Sequence, residues 1–318
     1  MKRLISLGVS LIILVVIYQR IDLEGLVQVF QDCDRLWMAI SLGMVIPLTL
    51  LTAWRLQQLV PAKVHLGLGE SNRLILAAST LNMVLPSKMG DIAKAYFMRD
   101  RGHLSGSLAL SLVVFEKACD LLSLLLWCVF GLMLYPNKDW LFWIMTLAVV
   151  SGLLLGILLL SSPKIAQWSF RTLGRIAPKT IHPKLVKLSH AWGEMHSYFW
   201  GDRRQLLRIT LTSIVIWFLH LLQIWFFILA LRASTPFLAN LALSPLAILA
   251  GLLPLTFAGV GTRDAALILF YQPYFSAATG AALGLLCTSR YLLPAIGGLP
   301  FLGQYLSTVK QEPPHESS

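Results

Sequence analysis

Glu116, Lys117 and Asp120 stand inside the apolar run 105–135, in the stretch Phe115-Glu-Lys-Ala-Cys-Asp120. Glu116 and Asp120 are one helical turn apart, so a helix sets both carboxylates on one face, with Lys117 beside the first. In hydrocarbon each such charge costs at least about 2.5–3.5 kcal/mol, so these residues face a bundle interior or a wet cavity. The chemistry open to them is recognition of a charged group or carriage of a proton. A self-compensating structural cluster that locks this helix to Lys88, Lys94 or Arg290 is the competing reading, and the two are compatible.

Two polar, glycine-containing segments supply the remaining charges. Leu85-Pro-Ser-Lys-Met-Gly-Asp91, followed by Lys94, and Leu253-Pro-Leu-Thr-Phe-Ala-Gly-Val-Gly-Thr-Arg-Asp264 each break an apolar stretch and set a basic residue beside an Asp. Broken helices at corresponding places in two halves point to a transport site, so a lipid or solute translocator is the first expectation. Gly90, Gly259 and Gly261 adjoin prolines and charges and are candidates for free backbone, whereas Gly251 and Gly297-Gly298 suit close helix packing. Arg263 and Asp264 open the segment after the second loop, where amide N–H groups can face an anion. Arg290 lies near the middle of the last apolar run. The expected site is therefore Lys88, Gly90, Asp91, Lys94, Glu116, Lys117, Asp120, Gly259, Gly261, Arg263, Asp264 and Arg290. Its cationic surplus suits the phosphate of a head group, with carboxylates left for an amine or a proton.

Other chemistries lack their residues. Gly259-x-Gly261 has neither the third glycine nor the preceding strand of a dinucleotide fingerprint, and no Walker-type loop or Ser-His-Asp arrangement is present. Cys33, Cys119, Cys128 and Cys287 show no Cys-x-x-Cys spacing and read as small hydrophobes. No metal, disulfide or cofactor is expected, and His220 on an apolar helix reads as a core or interfacial histidine.

The elements that must position these charges lie in a bilayer. The 318 residues are 57% hydrophobic and 13% charged, with mean hydropathy +0.72, against about 45–50% and 25% for soluble domains. Residues 1–318 read as a single all-α membrane domain, a polytopic bundle with about eight hydrophobic segments. Six are expected to span, at 4–18, 36–54, 105–135, 140–161, 209–231 and 277–302. The N-terminal run follows Met1-Lys-Arg but lacks a small-residue cleavage site, so it reads as an uncleaved span. The segments 74–86 and 237–257, carrying Pro86, Pro245 and Pro254, are expected to dip in and return as re-entrant hairpins that meet inside the protein.

Charge supports this topology. Nine Lys and Arg in the 162–208 connection, against Glu194 and Asp202, place that loop in the cytoplasm. Both termini then face the cytoplasm, the acidic stretch Arg20 to Arg35 faces out, and a short disordered tail is expected at 309–318. The arrangement is an inverted repeat: span, hairpin, span, repeated upside down. Trp168, Phe170, Trp192, Tyr198, Phe199 and Trp200 interleave with the basic residues of the loop, as in an interfacial amphipathic segment beside anionic lipid. The net charge of +11 is thereby explained without nucleic acid.

At these residues the chain resembles the membrane region of lysylphosphatidylglycerol synthase and the flippase-like proteins built on it. The resemblance rests on Leu85-Pro86 with Lys88-x-Gly90-Asp91 and Lys94, on Glu116-Lys117-x-x-Asp120, on the Pro254 to Asp264 loop, and on Arg290-Tyr291 with Pro294 and Gly297. It covers about residues 5–302. Lys88 and Lys117 stand where the family usually has arginine, and Asp264 where it commonly has Glu; Lys keeps the charge and loses the bidentate fork that suits phosphate. The resemblance implies movement of a phospholipid or isoprenoid-type lipid between leaflets of an inner or cytoplasmic membrane. No stretch matches the soluble aminoacyl-transferring domain, so a translocator and not a synthase is expected. The alternative is a membrane-embedded lipid-modifying enzyme or partner subunit in isoprenoid, hopanoid or aminoacyl-lipid synthesis, with Asp91 and Glu116 as acid and base. A second copy of the chain or a biosynthetic partner protein is left open.

Overall fold

Side-chain caps and prolines set the helix boundaries. A computed structural model describes residues 23–61, 66–84, 89–102, 104–135, 138–176, 182–253, 256 and 259–310. The expected span at 4–18, Lys88, and residues 311–318 of the expected tail lie outside the described residues. The helices are α1 (Leu23–Gln31), α2 (Arg35–Gly43), α3 (Val45–Leu59), α4 (Leu68–Val84), α5 (Met89–Gly102), α6 (Gly106–Leu134) and α7 (Trp140–Ser161). They continue as α8 (Pro163–Ile176), α9 (His182–Gly201), α10 (Arg203–Ala230), α11 (Phe237–Gly251), α12 (Thr262–Tyr271) and α13 (Ala277–Lys310). Asp34 opens α2 by accepting from the Leu36 and Trp37 amides, Asp139 opens α7 through Phe142, and Asp202 opens α10 through Arg204 and Gln205. Each cap satisfies amides that a helix start leaves without an internal partner.

Five segments are long and apolar enough to cross a bilayer: Arg35–Leu59, Gly106–Leu134, Trp140–Ser161, Arg203–Ala230 and Ala277–Gly303. They fall on the five expected spans inside the described residues. Three boundaries differ. The segment Arg203–Ala230 begins six residues before the expected 209. The first of these segments runs to Leu59 instead of 54, with a break at Met44 just before Pro47, which has no N–H to continue the helical ladder. The last helix continues to Lys310, so the first two residues of the expected disordered tail are helical.

The two broken segments are pairs of helices packed on each other, α4 with α5 and α11 with α12. The chain divides into two compact units. The first holds Met1–Leu48, Asp120–Gly156 and Ile214–Arg290; the second holds Thr49–Cys119, Ile157–Ser213 and Tyr291–Ser318. Each unit contains one of the helix pairs.

In the first unit α11 is the central element. Asn240 through Ile248 are all buried, as expected for a helix apolar on every side. Its two polar residues are satisfied in place. Asn240 donates to the Leu221 carbonyl and accepts from the Ser244 and Tyr271 hydroxyls at 2.9 Å each. In the second unit α4 is held to the end of α13 by Thr80, whose hydroxyl donates to the Ala295 carbonyl at 2.6 Å.

Candidate functional site

Two buried cations of the second unit converge on Glu116. Its side chain is 2% exposed, and each carboxylate oxygen has its own cation. Arg55 on α3 donates from Nη2 to Oε1 at 3.0 Å, and Lys94 on α5 donates to Oε2. Ser213 on α10 orients Arg55: it accepts from Nη1 at 2.9 Å while its own proton goes to the Ile209 carbonyl. Two cations from two helices thus meet one buried carboxylate on a third, and a hydroxyl from a fourth holds Arg55 from behind. Such a group is tolerated away from water only when paired in this way.

A second pair lies beside it and is more open. Lys117 reaches Asp91 at 3.4 Å, with the side chains 46% and 14% exposed. Asp120, half-buried, follows one turn further along α6. The structure thus brings Asp91, Lys94, Glu116 and Lys117 together, and of these contacts the one to Lys94 was named in the competing reading of a structural cluster.

Gly90, expected as free backbone, lies where α5 crosses α4. A Cβ there would run into the Ala78 carbonyl oxygen and stand 2.7 Å from the Asn82 nitrogen, so the missing side chain serves the close approach of two helices.

The first unit gathers Gly261, Arg263 and Asp264 at the start of α12. Arg263 donates from Nε and Nη2 to Asp264 Oδ1 at 3.0 and 2.7 Å, and from Nη2 also to the Gly284 carbonyl and the Thr288 hydroxyl of α13. The other Asp264 oxygen accepts from the Gly261 amide at 3.0 Å. The anion at this helix start is the protein's own carboxylate, in the capping-box manner. Gly259 and Gly261 take φ of 77° and 99°, a region that a side chain disfavours, and this lets the chain turn sharply into α12. Arg290, 8% exposed on α13, lies against the Cys287 thiol, and its Nε is buried without a hydrogen-bond partner. No carboxylate pairs with it among the described residues.

The sequence model of the lysylphosphatidylglycerol synthase transmembrane region matches residues 3–298 of the chain. The chain belongs to this family. No curated protein matches it. As a lysylphosphatidylglycerol synthase transmembrane-region protein, it is a multi-pass membrane protein with a lipid-related function.

Two residues of this family member correct the sequence reading. Arg55 lies one residue beyond the expected span 36–54 and was not among the expected site residues; it is 2% exposed and is a direct partner of Glu116. The signal was present in the apolar Leu56, Leu59 and Val60 that continue the run past it. Phe199 was expected in a surface loop, whereas it is fully buried with Met195 and stacks on Phe115, next to Glu116, at a centroid distance of 3.9 Å. Aromatic residues on an amphipathic helix suit a membrane surface and a protein core equally well, and only the neighbour decides.

Proposed function

We propose that this protein is a lipid translocase that moves a polar or phosphate-bearing lipid between leaflets. The observation that carries the reading is the knot of Arg55, Lys94 and Glu116, all under 3% exposed, within a membrane domain of a lipid-related family. Ionisable groups are costly inside membrane proteins and mark substrate or ion pathways there. In this reading α4–α5 and α11–α12 are re-entrant hairpins of an inverted repeat. Support comes from one packed helix pair in each unit, each with a charged residue of its second helix bonded to the long helix that follows.

Among the cations, Arg290 suits the head-group phosphate best. Arg263 already serves Asp264, Gly284 and Thr288, and Lys94 serves Glu116, whereas Arg290 keeps a buried donor unused. Its guanidinium fork matches phosphate oxygens. Both Glu116 oxygens hold cations, which weighs against the enzyme alternative that needs this group as a free acid or base.

The test is lipid exchange by purified variants in proteoliposomes. Arg290→Gln is expected to lower exchange at least about tenfold, the loss of roughly one charge-assisted hydrogen bond or more, and Arg290→Lys to keep part of the rate. Wild-type exchange by a folded Arg290→Gln protein would remove Arg290 from the pathway.

A further inference from the structure

We infer that α8 is a membrane-surface helix that docks on anionic phospholipid head groups at the end of α7. It starts one residue after that span, so it lies at the level where hydrocarbon gives way to head groups. Ser162 makes the corner: its carbonyl accepts from the Ala166 amide at 3.1 Å and its hydroxyl from Ile165 at 3.4 Å. Pro163 then takes the first helical position, where its missing N–H costs nothing.

The faces of α8 are sorted by partner. Ala166 is 1% exposed and Phe170 packs edge-on against Trp192 of α9, so this side is occupied by protein. Lys164, Arg171 and Arg175 are exposed and fall on one stripe of the helix, and α8 contains no acidic residue. Between the stripe and the protein side stand Ile165, Trp168 and Leu173, at 37, 67 and 54% exposed. Apolar side chains flanked by a row of cations are the pattern of a helix lying in the interface, with the tryptophan at head-group depth and the basic stems reaching past it.

The partner's chemistry follows from the charge. A zwitterionic surface offers no net attraction to three cations, whereas each Lys or Arg near an anionic leaflet favours it roughly fivefold before screening. The sequence spread this role over the whole 162–208 loop; the inference places it on α8. The second helix of the loop, α9, turns inward through Met195 and Phe199 and donates from Trp192 Nε1 to the Leu159 carbonyl at 2.9 Å. It is the brace that holds α8 at the surface.

The experiment is fluorescence quenching in bilayers of phosphatidylcholine with a minority of phosphatidylglycerol, one or the other brominated in its acyl chains. Full-length protein minus its Trp168→Phe variant isolates the Trp168 emission, and no lipid movement is needed for the readout. That emission is expected to be quenched, and at equal fractions of brominated lipid at least about twofold more by phosphatidylglycerol. The preference should vanish in the triple variant Lys164→Gln, Arg171→Gln, Arg175→Gln and persist when the same positions exchange Lys for Arg and Arg for Lys. Trp168 untouched by either brominated lipid would mean that α8 docks on protein instead. Equal quenching by both lipids in the wild type, or a preference that survives the glutamines, would equally overturn the inference.

Discussion

Glu116 accepts from Arg55 through one oxygen and from Lys94 through the other, so it answers for two buried positive charges at once. Replacing it by Gln strands both, and breaking a buried ion pair costs about 3–5 kcal/mol. Glu116→Gln is therefore expected to lower stability by that amount in reversible detergent unfolding. Adding Lys94→Met removes one of the stranded charges, so the double variant should be more stable than the sum of the single losses by at least about 1 kcal/mol. Strict additivity would mean that the two side chains are not coupled. This burden also makes Glu116→Gln a poor probe of transport, because loss of folding and loss of pathway would look alike. Arg290 has no ion pair to break among the described residues and separates the two.

At the scale of elements, close approach decides more than charge does. Gly90 lets α5 lie on the Ala78 carbonyl of α4, and overpacking a tight contact costs about 1–3 kcal/mol. Gly90→Ala is expected to destabilise by that much in the same unfolding assay while all the charges stay in place; an unchanged midpoint would contradict the packing role. The spans were legible in the sequence because length and apolarity alone set them, and Lys94 was one of three candidate partners for the Glu116 helix, beside Lys88 and Arg290, since few other groups could share the interior. Arg55 was not legible as a partner. Its place at the end of an apolar run fits a membrane-surface arginine as well as a buried one, and the difference lies in Ser213 and Glu116, far away in sequence. Gly90 and the start of α12 were read as backbone open to a ligand. Their contacts are internal: the Ala78 carbonyl arrives from the preceding helix, outside the motif, and the Asp264 carboxylate, although within its motif, turns back onto the Gly261 amide, a direction that a motif does not show.

For the whole molecule, the family and the apolar spans make this a lipid-related membrane protein, and the internal division adds a functional argument. Each compact unit holds one broken helix pair with its own buried cation–carboxylate contact, Lys94 to Glu116 in one and Arg263 to Asp264 in the other. Such groups are costly in a membrane interior, and in the proposed reading a translocator with two repeats would use one set per repeat. The measurement that tests this most directly is leaflet exchange by the wild-type protein in proteoliposomes containing fluorescent phosphatidylglycerol, its lysyl derivative or an isoprenoid phosphate, with the lipids then recovered and weighed by mass spectrometry. The account predicts faster exchange of at least one of them than in protein-free vesicles, with its mass unchanged. No exchange of any of the three by folded protein, or a lipid recovered with altered mass, would contradict it.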